Sequence, residues 1–331
     1  MTAPLHDSGT ATIEVPEQLP EVQGKKIEGR SPGRIAWDRL KRDKVALGGA
    51  VVVLLLILAA VFAPVLTHFF GHPPDEFHQD MINPDLGTPK GAFGGMSKDF
   101  LLGVDPTFGR DVFSRILYGA RISLVVAFLA AMVSVGIGVL MGTAAGYFGG
   151  WVDAVISRVM DLLLAFPQLL FAIALVSVMP DNLLGLSGTG VRMAVLIMVI
   201  GFFGWPYIGR IVRGQALSLR EREFIDAAKS LGAGSIHIVL RELLPNLVAP
   251  ILVYATLIIP TNILTEAALS FLGAGVKPPT PSWGQMLSEA VHIYQADPTY
   301  MVVPGLAIFI TVLAFNLFGD GLRDALDPKG N

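Results

Sequence analysis

The sequence predicts an all-α membrane protein with six transmembrane helices. Composition is the first of three observations that predict it. Hydrophobic residues make up 53% of the 331 residues and charged residues 15%, and mean hydropathy is +0.61, whereas a soluble domain carries about 25% charge. Six mostly apolar runs are the second observation, at about 45–66, 120–146, 159–180, 191–211, 246–271 and 300–318; each is near the roughly 20 residues a spanning helix needs. Third, Lys and Arg crowd onto alternate connections. Residues 25–44 hold eight of them and Arg210 to Arg241 hold six, while 180–190 holds none and 272–299 only Lys277. Basic loops stay cytoplasmic, and an even number of spans puts both termini on that side. With no cysteine and a net charge of −3, thiolate metal sites and a nucleic-acid partner are not expected.

Each element follows in order. Residues 1–37 form a polar tail expected to be disordered and cytoplasmic. The first apolar run begins at Val45, too deep for a signal peptide, so 38–66 is an N-terminal segment with an uncleaved first span. Residues 67–115, rich in Gly, Pro and Asp, form an ordered extracytoplasmic loop. Span two carries Gly138, Gly142 and Gly146 at four-residue intervals, a flat face for close helix packing. Pro167, Pro206, Pro250, Pro260 and Pro304 interrupt the later spans and can kink them. Two ionisable residues fall inside spans. Asp161 is expected to pair with Arg158 or to snorkel to the interface, and Glu266 to make a polar contact near a helix end. Arg110, Asp111 and Arg115, just before span two, either lie among lipid headgroups or touch an extracytoplasmic partner.

Between spans four and five lies a charged, amphipathic segment, 218–245. Ser218 and Glu221 have the S-x-x-E spacing of a capping box, which predicts a helix starting at Leu219. Phe224, Ala228 and Leu231 form one apolar stripe with Ile225 beside it. Gly232 suits a left-handed C-terminal cap. A second amphipathic stretch begins near Ser235, with Ile236, Val239, Leu240 and Leu243 inward, and Pro245 opens span five. A minimal turn would join two spans; two angled helices imply a docking knob for a cytoplasmic partner.

The stretch DAAKSLGAGSIHIVLRELLP resembles the EAA loop of importer permeases of the ATP-binding-cassette (ABC) class. Asp226, Ala227, Ala228, Gly232, Leu244 and Pro245 match its pattern, with Asp226 standing where glutamate is usual. LLGVDPTFGRDVFSRILYGARISLVVAF, GYFGGWVDAVISRVMDLLLAFPQLL, LTEAALSFLGAGVKPPTPSWGQML and VPGLAIFITVLAFNLFGDGLRDALDP resemble the C-type subunit of oligopeptide and dipeptide importers, over about Asp38 to Pro328. The resemblance implies a type I importer permease bundle in the bacterial inner membrane, with a core domain at 116–320 and a short cytoplasmic tail at 321–331. It also implies coupling to ATPases through Arg222, Glu223, Asp226, Ala227, Ala228 and Gly232. The implied partners are a second homologous permease, two cytoplasmic ATPases that bind ATP and Mg, an extracytoplasmic binding protein, a peptide substrate and membrane lipid. Nickel or another small solute is the runner-up cargo.

No catalytic chemistry is expected in this chain. It has no G-x-x-x-x-G-K-[ST], H-E-x-x-H or G-x-S-x-G, so ATP hydrolysis falls to partners. His68, His72 and His78, with Asp75, and His292 lie in outer loops. Pro73 and Pro74 would end any helix shared by His68 and His72, so no metal site is expected. A secondary transporter should show intramembrane charge pairs or internal repeats, which are not seen. A scaffold subunit would leave the EAA-type helix without an ATPase to dock.

Overall fold

The computed structural model describes residues 32–180, 182–183 and 185–327. Most of the expected tail therefore lies outside the described residues, but its last part does not. Residues 32–37 belong to helix α1 (Pro32–Leu40), which packs on the end of the last span. Asp43 starts α2 (Lys44–Val61) by accepting hydrogen bonds from the backbone N–H of Val45 and Ala46 at 2.9 and 3.0 Å, the role of an N-cap carboxylate. A Cβ on Gly49 would lie 2.8 Å from the Ala314 carbonyl oxygen, so α2 sits directly against α12 (Thr299–Leu326). The first span turns at Phe62 into α3 (Ala63–Phe70), with Pro64 in its first turn.

Residues 71–111 form an ordered cap, including an antiparallel pairing of β1 (Ile82–Asn83) with β2 (Thr88–Pro89). Asp111 then caps α4 (Val112–Phe148). This helix has 37 residues, about 55 Å at 1.5 Å per residue, and it begins eight residues before the apolar run. The glycine face packs as expected. A Cβ on Gly138 would lie 2.7 Å from Ile208 Cβ, on Gly142 2.5 Å from the Gly209 oxygen, and on Gly146 2.6 Å from Ala216 Cβ. All three partners belong to α7 (Thr189–Arg220).

Span three differs from expectation. It is not one helix at 159–180 but two, α5 (Gly150–Ala165) and α6 (Gln168–Val178), bent by 79°. Phe166 is extended (φ −85°, ψ 131°) and Pro167 follows. The ring of proline excludes the α conformation from the residue before it and removes a donor after it, so the helix stops there. Pro206, Pro250, Pro260 and Pro304 instead remain inside α7, α10 (Leu244–Phe271) and α12. Short strands β3 (Asn182–Leu183) and β4 (Leu186–Ser187) join α6 to α7. Helix α8 (Glu223–Ser230), the short turn α9 (Ser235–His237) and the outer helix α11 (Trp283–Ala290) complete the set. Among the described residues five helices are long and apolar enough to cross a membrane, or six with the bent pair counted as one span.

Four buried clusters among the described residues tie these helices together, that around Val112, Met286, Ala290 and Tyr300 lying beside the cap. One joins α4, α6, α7 and α10 around Leu196, Ile200 and Leu269. A second joins α2, α4, α10 and α12 around Ala127, Ile263 and Phe315. The third joins α7 and α10 around Val212, Ala216, Leu243 and Leu247, beside the 218–245 segment.

The α4–α7 contact gives a direct test. Gly142→Val should push α4 from α7 and cost about 1–3 kcal/mol, as overpacking does, lowering the thermal midpoint of the purified protein. Gly136→Val, where nothing lies within 4 Å, should leave that midpoint unchanged. Equal midpoints for the two variants would show that the glycine face does not set the packing.

Candidate functional site

Helix α7 does not stop at the membrane. It runs to Arg220, so Ser218 lies in its last turn and caps nothing. Helix α8 starts at Glu223, with Arg222 at the N-cap and no side chain bonding the free N–H groups there. The capping-box reading fails because Val212, Ala216 and Leu219 continue one stripe against α4 and α10, and that packing outweighs a local cap. Glu223 and Asp226 fall in the first turn of α8 and Lys229 in the last, the order that complements a helix dipole.

The carboxyl end of α8 matches the expectation. Gly232 takes φ +82°, and its N–H bonds the Lys229 oxygen at 2.9 Å while the Ala233 N–H bonds the Ala228 oxygen at 3.0 Å. This paired closure is a Schellman motif, which needs a left-handed residue at the turn. After it the backbone widens into a π-helical turn over Ile238–Leu243. That turn explains a second difference. Ile236 and Leu240, expected inward, are 73% and 58% exposed, while Ile238 and Leu243 are buried. In a π turn the face repeats at five residues, which aligns Ile238 with Leu243 and turns Ile236 and Leu240 out.

The stripe on α8 also points outward. Ile225 is its only buried residue; Phe224 is 37% exposed and Leu231 88%. Arg222, Glu223, Asp226, Ala227 and Gly232 are exposed and Ala228 is half-buried. All six expected coupling residues therefore lie on one short, braced projection. Four apolar side chains, Phe224, Leu231, Ile236 and Leu240, stand exposed on the same segment, an arrangement that marks an interaction surface.

The helix that leads into the projection is tied to its neighbours by polar contacts that the sequence did not reveal. Asp161 pairs with Arg210 of α7 at 2.6 Å, not with Arg158. The α5–α7 contact brings a cation from the facing helix, while Arg158 stays exposed. Asp153 takes two hydrogen bonds from Arg213, one of them from Nη2 at 2.7 Å. Arg220 donates to the Tyr147 carbonyl at 3.3 Å, joining the end of α7 to the end of α4. Helix α7, which leads into α8, is thus in direct contact with both α4 and α5.

At the opposite end, Arg110, Asp111 and Arg115 do not lie among headgroups or on a partner-facing surface. All three are buried inside the chain. Asp111 accepts from the His72 and Phe113 N–H groups and the Ser114 hydroxyl. Arg110 bonds Asp105 at 2.6 Å and Glu289 at 3.1 Å. Burial lowers the Arg110 pKa, but the hydrogen bond and charge of Asp105, with the charge of Glu289, outweigh it and leave it raised. Arg115 reaches Glu289, Gln285 and the Pro279 carbonyl at 3.2–3.4 Å. Tyr300 donates to Glu289 at 2.7 Å. Glu289 on α11 thus gathers two guanidinium groups and a phenol from three parts of the chain. Nothing local marked it, because its partners Arg110 and Arg115 are more than 170 residues away.

Glu266 is also more deeply set than a helix-end contact. It is fully buried and accepts from Ser123 at 2.8 Å and Ser270 at 2.7 Å, joining α10 to α4. The outer histidines stay apart from any ligand cluster. His72 and His78 pack edge to face beside Phe100, and no group of three metal-ligating side chains forms among the described residues.

Removing Glu289 should be costly. Glu289→Ala leaves the buried Arg115 guanidinium without its close carboxylate and leaves Arg110 with Asp105 alone, at about 3 kcal/mol or more. Limited proteolysis should then cut residues 71–111 faster in the variant than in the parent. Asp75→Ala, an exposed residue 3.9 Å from Arg115, should change stability by no more than about 0.5 kcal/mol. Equal protection of Glu289→Ala and the parent would remove the cap network from the account.

Comparison with known proteins agrees with this geometry. A family model described as the binding-protein-dependent transport system inner membrane component matches residues 134–330, and one for the N-terminal TM domain of oligopeptide transport permease C matches 31–87. A dipeptide transport system permease protein, DppC, of Alkalihalophilus pseudofirmus is 43% identical over 90% of both chains. Glutathione transport system permease proteins, GsiD, are 42% identical in Pectobacterium atrosepticum, over 94% of this chain and 95% of the relative. The Shigella sonnei protein is 43% identical, over 92% and 93%. An inward-facing structure of the MetNI methionine ABC transporter shares the fold, with TM-score 0.52 and 20% identity over 64% of this chain and 96% of that one. This chain belongs to the family of binding-protein-dependent transport system inner membrane components, as a multi-pass permease subunit of an ABC importer.

Proposed function

We propose that this permease carries oligopeptides or dipeptides, the cargo class named for its dipeptide-transport relative. It forms half of a path whose other half is a second, homologous permease. A binding protein delivers substrate from outside, and two cytoplasmic ATPases, which bind ATP and Mg, drive alternating access. Both termini and the 218–245 segment face the cytoplasm, in keeping with the clustering of Lys and Arg in residues 25–44 and 210–241.

The observation that carries this reading is α8 itself. It presents an apolar rim and small alanines outward, is anchored only by Ile225, and is braced by the glycine turn. A surface of that kind suits insertion into a groove on another protein. Ala227 and Ala228 let that surface approach closely, and Arg222, Glu223 and Asp226 supply charges around the contact. Because only Glu221 and Arg222 separate α8 from α7, a force on it reaches the helix most buried in the bundle.

Substitutions on α8 test the coupling. In the assembled importer, Ala228→Trp and Asp226→Arg should each cost the interface about 2 kcal/mol, the scale of an interface hot spot, or roughly 30-fold in binding. Uptake of a labelled dipeptide should collapse and ATP hydrolysis should lose its dependence on the loaded binding protein, while membrane insertion persists. Normal uptake by Ala228→Trp would exclude docking through α8. Ligand identification on the cognate binding protein tests the cargo separately; a metal ion or a non-peptide solute there would overturn the peptide assignment alone.

A further inference from the structure

At the end of α4 remote from α8, a groove of about 470 Å³ opens on the surface between α2, α4, α10 and α12. Its walls include Ile57 and Val61 of α2, Val125, Phe128 and Leu129 of α4, and Phe315 of α12. One charged side chain lines it, Arg121. The guanidinium of Arg121 stacks near the Tyr118 ring at 5.9 Å. Among the described residues no carboxylate pairs with it, whereas Arg110 and Arg115 nearby are paired with Asp105 and Glu289.

The position of Arg121 fixes its depth. Residues 122–152 contain no Asp, Glu, Lys, Arg or His, and about 20 residues suffice to cross the hydrocarbon. Arg121 therefore stands at the boundary where that charge-free run begins, at headgroup level. Val125, Phe128 and Leu129 follow at one and two turns below it on the same face. The site is thus an amphiphile in negative: a cation at the headgroup and an apolar slot descending into the hydrocarbon.

We propose that this groove binds a phospholipid, with its phosphate on Arg121 and an acyl chain along Val125, Phe128 and Leu129. Other occupants fit less well. A peptide substrate would bring amide N–H and C=O groups against an apolar wall that cannot satisfy them, at a cost for each. A helix of a second permease would cover the apolar slot but leave Arg121 without an anion unless it supplied one. A phospholipid satisfies both parts, and the long arginine stem can adjust its charge to the interface.

The test uses the complete importer in nanodiscs containing phosphatidylglycerol with a photoreactive acyl chain, or diacylglycerol with the same chain and no phosphate. Phosphatidylglycerol should label peptides within 121–129 and 57–61. Labelling should fall roughly tenfold in Arg121→Ala, the scale of a lost charge-assisted hydrogen bond, persist in Arg121→Lys, and vanish in Val125→Trp, which fills the slot from an exposed position. Diacylglycerol should label as weakly as phosphatidylglycerol labels Arg121→Ala. Equal labelling by both lipids, or equal labelling of parent and Arg121→Ala, would mean bulk annular lipid and overturn the proposal. So would a crosslink from Phe128→benzoylphenylalanine to the second permease or to a bound peptide.

Discussion

The close contact of α4 with α7 is the constraint on which the rest of the structure depends. In a bilayer, apolar side chains gain little from leaving lipid for protein, so helices associate where their surfaces fit. Gly138, Gly142 and Gly146 remove the side chains that would hold α7 away, and the backbone and side chains of Ile208, Gly209, Val212 and Ala216 fill the space. Gly201 repeats the device from the other side, where a Cβ would lie 2.7 Å from Val133 Cβ. The contact therefore runs along most of both helices. It makes α4 and α7 a single rigid pair to which the other spans attach.

That pair joins the two ends of the molecule. At one end α4 emerges from a cap held by Asp111, Arg115 and Glu289, which also grips the start of α12 through Tyr300. At the other, α7 leads directly into α8, and Arg220 fastens it back to Tyr147 of α4. The polar groups that brace this frame are buried or paired, as a low-dielectric setting demands. Ion pairs to Asp153 and Asp161 extend the frame to α5. The projection is thus joined to three spans by covalent continuity and direct contacts, without a long chain of soft side chains.

How much of this was legible in the sequence depended on the range of the interaction. Five of the spans, the flat glycine face and the left-handed turn at Gly232 were readable because each is set by residues a few positions apart. The start of α8 was misread because Ser218 satisfies a local rule that the α7 packing stripe overrides. Ile236 and Leu240 were misplaced because a π turn alters the period on which the reading relied. Arg110 and Arg115 looked interfacial because their anion, Glu289, is far along the chain and invisible to any window. The same holds for Asp161, whose local candidate Arg158 lost to Arg210 on a facing helix.

The break in span three makes a further physical demand. At Phe166 and Pro167 the helix turns by 79°, and both residues are exposed on the isolated chain. Irregular backbone is not tolerated facing lipid, because hydrocarbon cannot satisfy freed carbonyl groups. Helix α5 is otherwise little covered by its own chain, with Met160 its one buried residue. The half-exposed pair of Asp161 and Arg210 lies on the contact between α5 and α7, and charges within a span carry a penalty toward lipid. All three features require that, in the membrane, this side of the molecule meets protein or water. The broken span lies against α7, so this side of the molecule adjoins the helix that leads into α8.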